Sequence, residues 1–401
     1  MNIKKLDKKV IIITPSKFPG TAGDTANYSE IIMALVNKGY DILLICPLSS
    51  SPEENSFPPQ VQISRIPFSP PRLGEVRQGI KPIHVSRFAI FLLLQYLTII
   101  WQLKNRNVKC AFMRHDVLTM NVSFLLRLLG VKVIVADGLV FSEGLNNFHL
   151  PELSKKIILA LEKAVFKWYS HFLVSTVGQG KKMENWGCPR EKILLMPMSI
   201  RISEIPVVPA NKIPPYTFGF FGALEQWQGP ETLLKAFKKV FTKIPESKLF
   251  IIGDGSMKEQ LKEYSRHNDL VKSVIFVDDL PRKKIWNTYF SKFQIVVVPR
   301  PKRNDFFDSL PSIKLVESLA AGKAIITTDI DAMKEISREI ITTVPPNDPD
   351  SLADMMCDLS KDTDKLNRLS SEAVKYAKNY DISINIEKIE RVFSLDPLTD
   401  N

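Results

Sequence analysis

The residue types that could do chemistry stand close together near the start of a short apolar helix. Lys314 and Glu317 lie within the stretch LPSIKLVESLAAGKAIITTD, residues 310–329, and a separation of three residues puts them on one face of a helix. A lysine at a helix N-terminus adds charge to backbone N–H groups that already attract anions. The pattern indicates a phosphate site, with a carboxylate one turn away that could accept hydrogen bonds from ribose hydroxyls. An ion pair at a helix end, without any ligand, stays open as the alternative.

The neighbouring segments could position this helix at the end of a strand–loop–helix unit. The run FQIVVVP, residues 293–299, is rich in β-branched residues and predicts a buried parallel strand. The apolar positions of residues 312–321 recur with a helical period, and Gly322 ends the helix. Residues 324–328 predict a second buried strand. This order presents a helix N-terminus at the loop that leaves the first strand.

Length and composition indicate the number of domains and the kind of compartment to expect. The chain has 401 residues, 45% of them hydrophobic, which is enough for two domains. Its four cysteines have no metal-like spacing and suggest no disulfide framework, so a reducing compartment and a cytoplasmic location are expected. The apolar run at residues 10–13 is too short for a signal-peptide core and predicts the first strand.

The positive charge is confined to the first half of the chain. Residues 1–205 contain 26 Lys and Arg against 15 Asp and Glu, whereas residues 206–401 contain 28 of each. A basic surface attracts nucleic acid, anionic lipid or phosphorylated substrates. A merely soluble charged surface is the alternative.

An apolar run within residues 72–109 permits two interpretations. Residues 88–103, FAIFLLLQYLTIIWQL, are preceded by Arg77, Lys81 and Arg87. Sixteen residues are short for a membrane span, which needs about 20. Either the run is a helix buried against a sheet, or it lies on a membrane surface, with peripheral association on the inner face of an anionic membrane.

Polar residues follow the predicted strands of the first half, where ligands bind in open α/β sheets. Arg114 and His115 end the strand at residues 110–113, and Asp137 ends the strand at 131–136. Gly23 lies in the loop after the first strand, where glycine lets backbone approach a ligand closely. No Gly-x-Gly-x-x-Gly pattern is present, which disfavours a dinucleotide fingerprint.

These motifs together resemble a known enzyme family over nearly the whole chain. Lys314, Glu317, Ala320, Gly322 and Glu335 match the C-terminal signature of the family-4 retaining glycosyltransferases, the glycosyl transferases group 1. The resemblance implies an α/β protein of the GT-B fold. Two Rossmann-like domains, each with a parallel sheet, would face each other across a cleft.

Three residues depart from the family pattern. The family's paired glutamates fall on Ser309, beside Asp308, and on Glu317, while its diphosphate-binding Arg and Lys fall on Ala223 and Gln228. A cation from elsewhere would then have to stabilise the leaving diphosphate. Arg300 follows a buried strand directly and is predicted to stabilise the leaving diphosphate. Lys302 and Arg303 lie farther out on the loop.

The resemblance, together with the positions of Arg300, Arg114 and His115 after predicted strands, gives the candidate site residues. The catalytic group comprises Asp137, Arg300 and Lys314. The donor-binding group comprises Gly222, Gly253, Val277, Asp308, Ser309, Ser312, Ile313, Lys314 and Glu317. The acceptor side comprises Gly23, Asp24, Arg114, His115 and Glu143. No metal site is expected, and no cofactor beyond the nucleotide-sugar as co-substrate.

The predicted organisation is an N-terminal acceptor-side domain at residues 1–200 and a proline-rich linker at 201–215. A nucleotide-sugar-binding domain at 216–375 follows, and a C-terminal helix at 376–401 crosses back to the first domain. The predicted function is metal-independent sugar transfer, with retention, from a nucleotide-sugar to a glycan or lipid-linked acceptor.

Three other functions stay open. A nucleotide-sugar epimerase shares the fold. A catalytically weakened partner subunit of a glycosyltransferase complex would account for Ala223, Gln228 and Ser309. A nucleic-acid-binding protein would use the basic half, but no recognised module supports it and no nucleic-acid partner is expected.

Overall fold

The structure is a computed structural model that describes most of the chain. The described residues are 8–16, 18, 23–48, 57–70, 81–104, 107–116, 118–136, 152–303, 306–309 and 312–394. The chain divides into two compact units. The first comprises Met1–Pro197, Asp305–Phe307 and Ile382–Asn401, and the second comprises Met198–Asn304 and Asp308–Asp381.

The described residues of the first unit contain one seven-stranded parallel sheet. Its strands are β1 (Lys9–Ile13), β2 (Asp41–Pro47), β3 (Val61–Ile66), β4 (Cys110–Arg114), β5 (Lys132–Ala136), β6 (His171–Val174) and β7 (Ile193–Leu195). They lie in the order β3-β2-β1-β4-β5-β6-β7. Strands β1 and β4 to β6 are almost wholly buried, as their continuous apolar runs predict for a sheet covered on both faces.

Helices cover this sheet. They are α1 (Gly23–Asn37), α2 (Pro82–Lys104), α3 (Val122–Leu128), α4 (Glu152–Val165), α5 (Val177–Asn185) and, from the end of the chain, α11 (Ile382–Ser394). Helix α11 packs beside α1, and its buried Ile386, Ile389 and Phe393 join the core formed by β1, β2 and β4. The buried amine of Lys132 donates to the carbonyl of Val392 at 3.2 Å, which further ties the helix to this unit.

The second unit contains a six-stranded parallel sheet. Its strands are β8 (Thr217–Phe221), β9 (Lys248–Ile252), β10 (Val274–Val277), β11 (Ile295–Val298), β12 (Ala324–Thr328) and β13 (Thr342–Val344). The order β10-β9-β8-β11-β12-β13 reverses direction between β8 and β11. This is the doubly wound order, in which ligands bind where the direction reverses, beyond the carboxyl ends of the strands.

The described residues of the second unit contain five α-helices of eight or more residues. They are α6 (Pro230–Lys243), α7 (Lys258–His267), α8 (Ile313–Ala320), α9 (Pro349–Lys361) and α10 (Thr363–Ala377). Pro230 and Pro349 occupy first positions, where the missing N–H costs nothing. Asp348 caps α9 by accepting from the N–H groups of Asp350 and Ser351. The predicted α/β class, with a parallel sheet in each half, is confirmed.

The predicted linker at residues 201–215 packs against the second unit. It contains two short 3-10 turns, Ile202–Glu204 and Ala210–Lys212. Ile205, Ala210 and Ile213 are buried, and the carbonyl of Ala210 accepts from the side-chain amide of Gln294 at 2.9 Å. Apolar residues between the prolines therefore tie this segment to the sheet, which proline content alone does not predict.

Helix α2 is longer and more exposed than the sequence predicts. It spans 23 residues, and only 17% of its most apolar 18-residue window is buried. Among the described residues it is the one helix long and apolar enough to cross a membrane, judged by length and composition. The interpretation that residues 88–103 form a helix buried against the sheet holds for one side of the helix only, since Gln102 bonds to Ser64 on β3 while the other side is exposed.

Candidate functional site

Two glycine turns shape the backbone at the point where the second sheet reverses direction. Gly222 follows β8 with φ +117°, and Gly253 follows β9 with φ +145°. The N–H of Gly253 donates to the carbonyl of Val277, the last residue of β10, at 2.9 Å. A Cβ atom on Gly253 would lie 2.1 Å from the carbonyl oxygen of Gly222. Only glycine allows this approach, so the two turns leave open backbone at the carboxyl ends of the strands.

Lys314 is buried beside these turns. Its Nζ donates to Gln228 Oε1 at 2.8 Å and lies 4.4 Å from the ring centre of Phe220. A Cβ atom on Gly222 would lie 3.2 Å from the same Nζ, so glycine makes room for the amine. Burial lowers the pKa of Lys314 to about 7, helped by the positive charge of Arg300 and opposed by Glu317. A nearby anion would favour the charged amine.

Glu317 is also buried and accepts two hydrogen bonds on one oxygen. Its Oε1 accepts from Arg282 Nε at 2.7 Å and from Trp286 Nε1 at 2.8 Å. The guanidinium of Arg282 lies over the Trp286 ring, 5.1 Å from its centre. These two contacts fix the orientation of the carboxylate.

Arg282 and Trp286 were not identified from the sequence. They lie after β10, on a short turn (Arg282–Lys284) that continues as a π-helix (Ile285–Tyr289). Their spacing of four residues places them on one helical face. That spacing was the available signal, but nothing in it points to Glu317, 31 residues farther along the chain from Trp286.

The loop after β11 carries a buried cation. Arg300 is only 5% exposed, its N–H donates to the Val298 carbonyl at 3.0 Å, and its carbonyl accepts from Thr328 Oγ1 at 2.6 Å. Gly229, with φ +74°, lies against this loop, since a Cβ atom there would meet the Pro299 carbonyl at 1.9 Å. Lys302 is exposed. Arg300 is therefore a buried cation on this loop, and its charge acts on Lys314.

Asp308 and Ser309 close the same loop. Both side chains are buried, and the carboxylate of Asp308 accepts from the backbone N–H of Arg303 at 3.1 and 3.2 Å. Ser312 is the N-cap residue of α8 without a side-chain capping bond, and Ile313 is the first helical residue. Of the residues predicted from the sequence, Gly222 and Lys314 from the donor-binding group and Arg300 from the catalytic group form one cluster, while Asp308 holds the backbone of Arg303.

The predicted acceptor-side residues lie in the first unit, and some fall outside the described residues. Gly23 and Asp24 begin α1, and Arg114 ends β4. Asp137 and Glu143 lie outside the described residues.

His115 is fully buried in that unit, in a position that differs from the ligand-facing one predicted from the sequence. Its Nδ1 lies 2.8 Å from the Tyr169 hydroxyl and its Nε2 lies 2.9 Å from Glu162 Oε1. Strand β4 ends before the histidine, and the chain then turns its imidazole into the core, among the rings of Phe166, Tyr169 and Phe172.

Comparison with solved structures defines the class of the fold. Sucrose-phosphate synthase from Thermosynechococcus elongatus is similar with a TM-score of 0.75 and 15% identity, over 96% of this chain and 98% of that one. HepE from Anabaena, solved with UDP and glucose, is similar with a TM-score of 0.69 and 15% identity, over 96% and 99%. With its two open parallel sheets, this chain has the GT-B fold, as predicted.

Sequence comparison identifies a related family. Residues 203–376 match the family model described as glycosyl transferases group 1, which confirms the predicted resemblance over this region. The chain is 25% identical over 182 residues to D-inositol 3-phosphate glycosyltransferase of Corynebacterium diphtheriae, covering 43% of this chain and 41% of that protein. It is 26% identical over 175 residues to phosphatidyl-myo-inositol mannosyltransferase of Mycobacterium tuberculosis, covering 42% and 44%. The match therefore spans less than half the length of these relatives.

Replacing Glu317 with Gln is expected to weaken nucleotide binding by about 1–3 kcal/mol, because a buried charged acceptor is lost. The informative measurement compares a nucleotide with its 2′,3′-dideoxy analogue by calorimetry. The native protein should prefer the ribose form, and Glu317→Gln should lose that preference.

Arg282→Lys is the matched control for this experiment. It keeps a cation beside the carboxylate of Glu317, so it should keep the preference for the ribose form. If native protein and Glu317→Gln discriminate equally between ribose and dideoxyribose, Glu317 serves only as an internal anchor for Arg282 and Trp286.

Proposed function

We propose that this protein is a glycosyltransferase that moves a sugar from a nucleotide-sugar donor to a glycan or lipid-linked acceptor. The transfer retains anomeric configuration and needs no metal ion. The observation that carries the proposal is the pair of buried cations, Lys314 and Arg300, where the second sheet reverses direction. Further support comes from the family match, from relatives named for glycosyl transfer, and from the similarity to HepE, which was solved with UDP.

The two cations suit a diphosphate leaving group. Burial lowers the pKa of Lys314 to about 7, and the like charge of Arg300 adds to the effect. A bound diphosphate would relieve this repulsion and hold the amine protonated. As the sugar–phosphate bond breaks, negative charge grows on the diphosphate. Fixed cations therefore stabilise the transition state more than they stabilise the bound donor.

The remaining donor contacts position the nucleotide. Glu317, held by Arg282 and Trp286, would accept the ribose hydroxyls. The backbone at Gly222 and the first turn of α8, from Ser312, would approach the phosphates. Positive charge develops on the sugar while the diphosphate leaves. The acceptor hydroxyl then attacks on the face that the leaving group vacates and gives its proton to an oxygen of the departing diphosphate, which gives retention.

The first experiment is a panel of nucleotide-sugars read by thermal shift. Binding to the folded state raises the melting temperature by mass action, so one nucleotide should raise it more than the others at equal concentration. UDP-glucose is the first member of the panel, because HepE was solved with it. If no nucleotide changes the melting temperature at millimolar concentration, the proposal is wrong.

A second measurement separates an enzyme from a weakened partner subunit. Donor consumption and product formation are followed with the nucleotide-sugar that binds, and anomeric configuration is read by NMR. An enzyme should give product with the donor's configuration, and EDTA should leave the rate unchanged. Nucleotide binding without turnover, in the presence of extracts that contain varied acceptors, would favour the partner-subunit interpretation.

We also propose a cytoplasmic location. The four cysteines are buried and unpaired, which suits a reducing compartment.

A further inference from the structure

Helix α2 carries its apolar residues on the side that faces away from the protein. Ile83, Ile90, Leu93, Leu97 and Trp101 are between 45% and 69% exposed. The opposite side buries Gln95 and Gln102. Neither polar atom of the Gln95 side chain has a hydrogen-bond partner in the described part of the chain. Globular helices usually place polar residues outward, so an apolar outer side is unusual.

Specific contacts hold the helix in this orientation. Gln102 Nε2 donates to Ser64 Oγ on β3 at 3.0 Å. The Tyr96 hydroxyl donates to the backbone carbonyl of Asn121, just before α3, at 2.6 Å. Phe91 and Ile99, on the inner side of the same helix, are fully buried. The outward apolar side therefore results from the packing of the inner side.

The exposed apolar residues continue on the two helices that follow in the chain. Helix α3 and its end expose Phe124, Leu128 and Leu129, and α4 exposes Leu153, Ile157 and Leu161 at intervals of four residues. The Phe124 ring lies 5.0 Å from that of Trp168, which follows α4, and the Tyr96 bond joins α2 to α3. We call these outward residues of α2, α3 and α4 the outer apolar surface.

Among the described residues, the charges around this surface are almost all positive. Helices α2 and α3 contain no acidic residue. On α4, Glu162 is buried against His115 and Glu152 pairs with Lys155 at 2.6 Å. Exposed lysines accompany the apolar residues, namely Lys104, Lys156, Lys163 and Lys167. Such a combination of apolar side chains, an exposed tryptophan and basic residues suits a surface of anionic lipid.

We propose that the outer apolar surface binds an anionic lipid bilayer, with α2 lying in the plane of the interface. The helix rests on the membrane rather than crossing it, because its inner side stays hydrogen-bonded to β3 and to the start of α3. Leu93, Leu97 and Trp101 would enter the acyl boundary, while the lysines meet lipid phosphates. This proposal does not depend on the proposed sugar transfer, since its test needs no donor.

The test is co-sedimentation of the full-length protein with vesicles. One set contains phosphatidylglycerol and phosphatidylcholine, and the other contains phosphatidylcholine alone. The protein should bind the anionic vesicles, and binding should fall when the salt is raised from 0.1 to 0.5 M, because exposed charges are screened. Fluorescence of the exposed Trp101 should shift to the blue on binding.

Substitutions of exposed leucines on α2 and α4 test which residues contact the membrane. Leu93→Gln/Leu97→Gln on α2 and Leu153→Gln/Leu161→Gln on α4 should each lower vesicle partition at least about tenfold, given the transfer free energy of a leucine side chain. The matched control is Val271→Gln, an equally exposed apolar residue of the second unit, which should bind like the native protein. Because all five side chains are exposed, circular dichroism and the melting temperature should hardly change.

Three outcomes would overturn the proposal. The protein could stay in the supernatant with both vesicle types. It could bind vesicles while the leucine variants and the control bind equally well. It could ignore vesicles and form a dimer that Leu93→Gln/Leu97→Gln abolishes in sedimentation velocity, in which case the surface joins two copies of the chain. The nucleotide-induced thermal shift should persist in all variants, so failure here is distinguishable from failure of the proposed function.

Discussion

Replacing Lys314 with Met should make the protein more stable and the sugar transfer slower. The side chain is buried, and its pKa is lowered from 10.5 to about 7. Removing a buried charge should raise the free energy of unfolding by about 1–3 kcal/mol at pH 6, after allowance for the Gln228 oxygen left unpaired. Loss of a donor to the developing diphosphate charge should lower kcat by about 10²–10³.

The pH dependence of this stabilisation has a definite sign. Between about pH 7 and 10.5 the unfolded chain keeps the Lys314 proton and the folded protein does not, so the native protein gains stability as pH rises through that window. Below about pH 7 the proton is bound in both states, and the folded protein then bears the full free-energy cost of burying the charged amine. The stabilising effect of Lys314→Met should therefore be largest at or below pH 7 and should vanish towards pH 10.5.

Lys323 is the matched control. It is a second buried lysine with a pKa lowered to about 7 by burial, and its amine donates to the carbonyl of Phe290. Lys323→Met should change the pH dependence of stability in the same direction and leave kcat unchanged. Denaturant unfolding at pH 6 and 9, with turnover at saturating donor, measures both. If Lys314→Met and Lys323→Met turn over equally fast, Lys314 takes no part in the reaction.

The helix of Lys314 and Glu317 could be predicted because its information is local. An apolar period, a terminating glycine and two flanking runs of β-branched residues all lie within about 35 residues, and the structure places β11, α8 and β12 there. Periodicity and turn residues act over such short distances. The same holds for the position of Arg300 directly after a buried strand, whereas the burial of its side chain is seen only in the structure.

The partners of these residues could not be predicted, because they come from distant parts of the chain. Gln228 lies 86 residues before Lys314, and Arg282 lies 35 residues before Glu317. Only the sheet order, which brings the ends of β8, β10 and β11 to one edge, places them together. The orientation of α2 is a different case. Its composition is apolar all round, so periodicity does not distinguish its inner side from its outer side.

Arg300→Ala should lower turnover far more than Lys302→Ala or Arg303→Ala. Arg300 is buried and its backbone is fixed by Val298 and Thr328, whereas Lys302 is exposed and exposed charges contribute little. The expected loss for Arg300→Ala is about 10²–10³ in kcat. For the other two variants we expect at most about threefold, because the bond from Arg303 to Asp308 uses the backbone N–H and survives the substitution.

A second readout distinguishes charge from structure at this position. The positive charge of Arg300 lowers the pKa of Lys314, so Arg300→Ala should raise that pKa, and Arg300→Lys should restore it. Donor affinity should fall as pH rises above the pKa of Lys314, because binding then requires proton uptake. In Arg300→Ala the start of that fall should move to higher pH. Small and equal losses of turnover in all three variants, with unmoved pH profiles, would mean that Arg300 does not act on the diphosphate and that another group stabilises it.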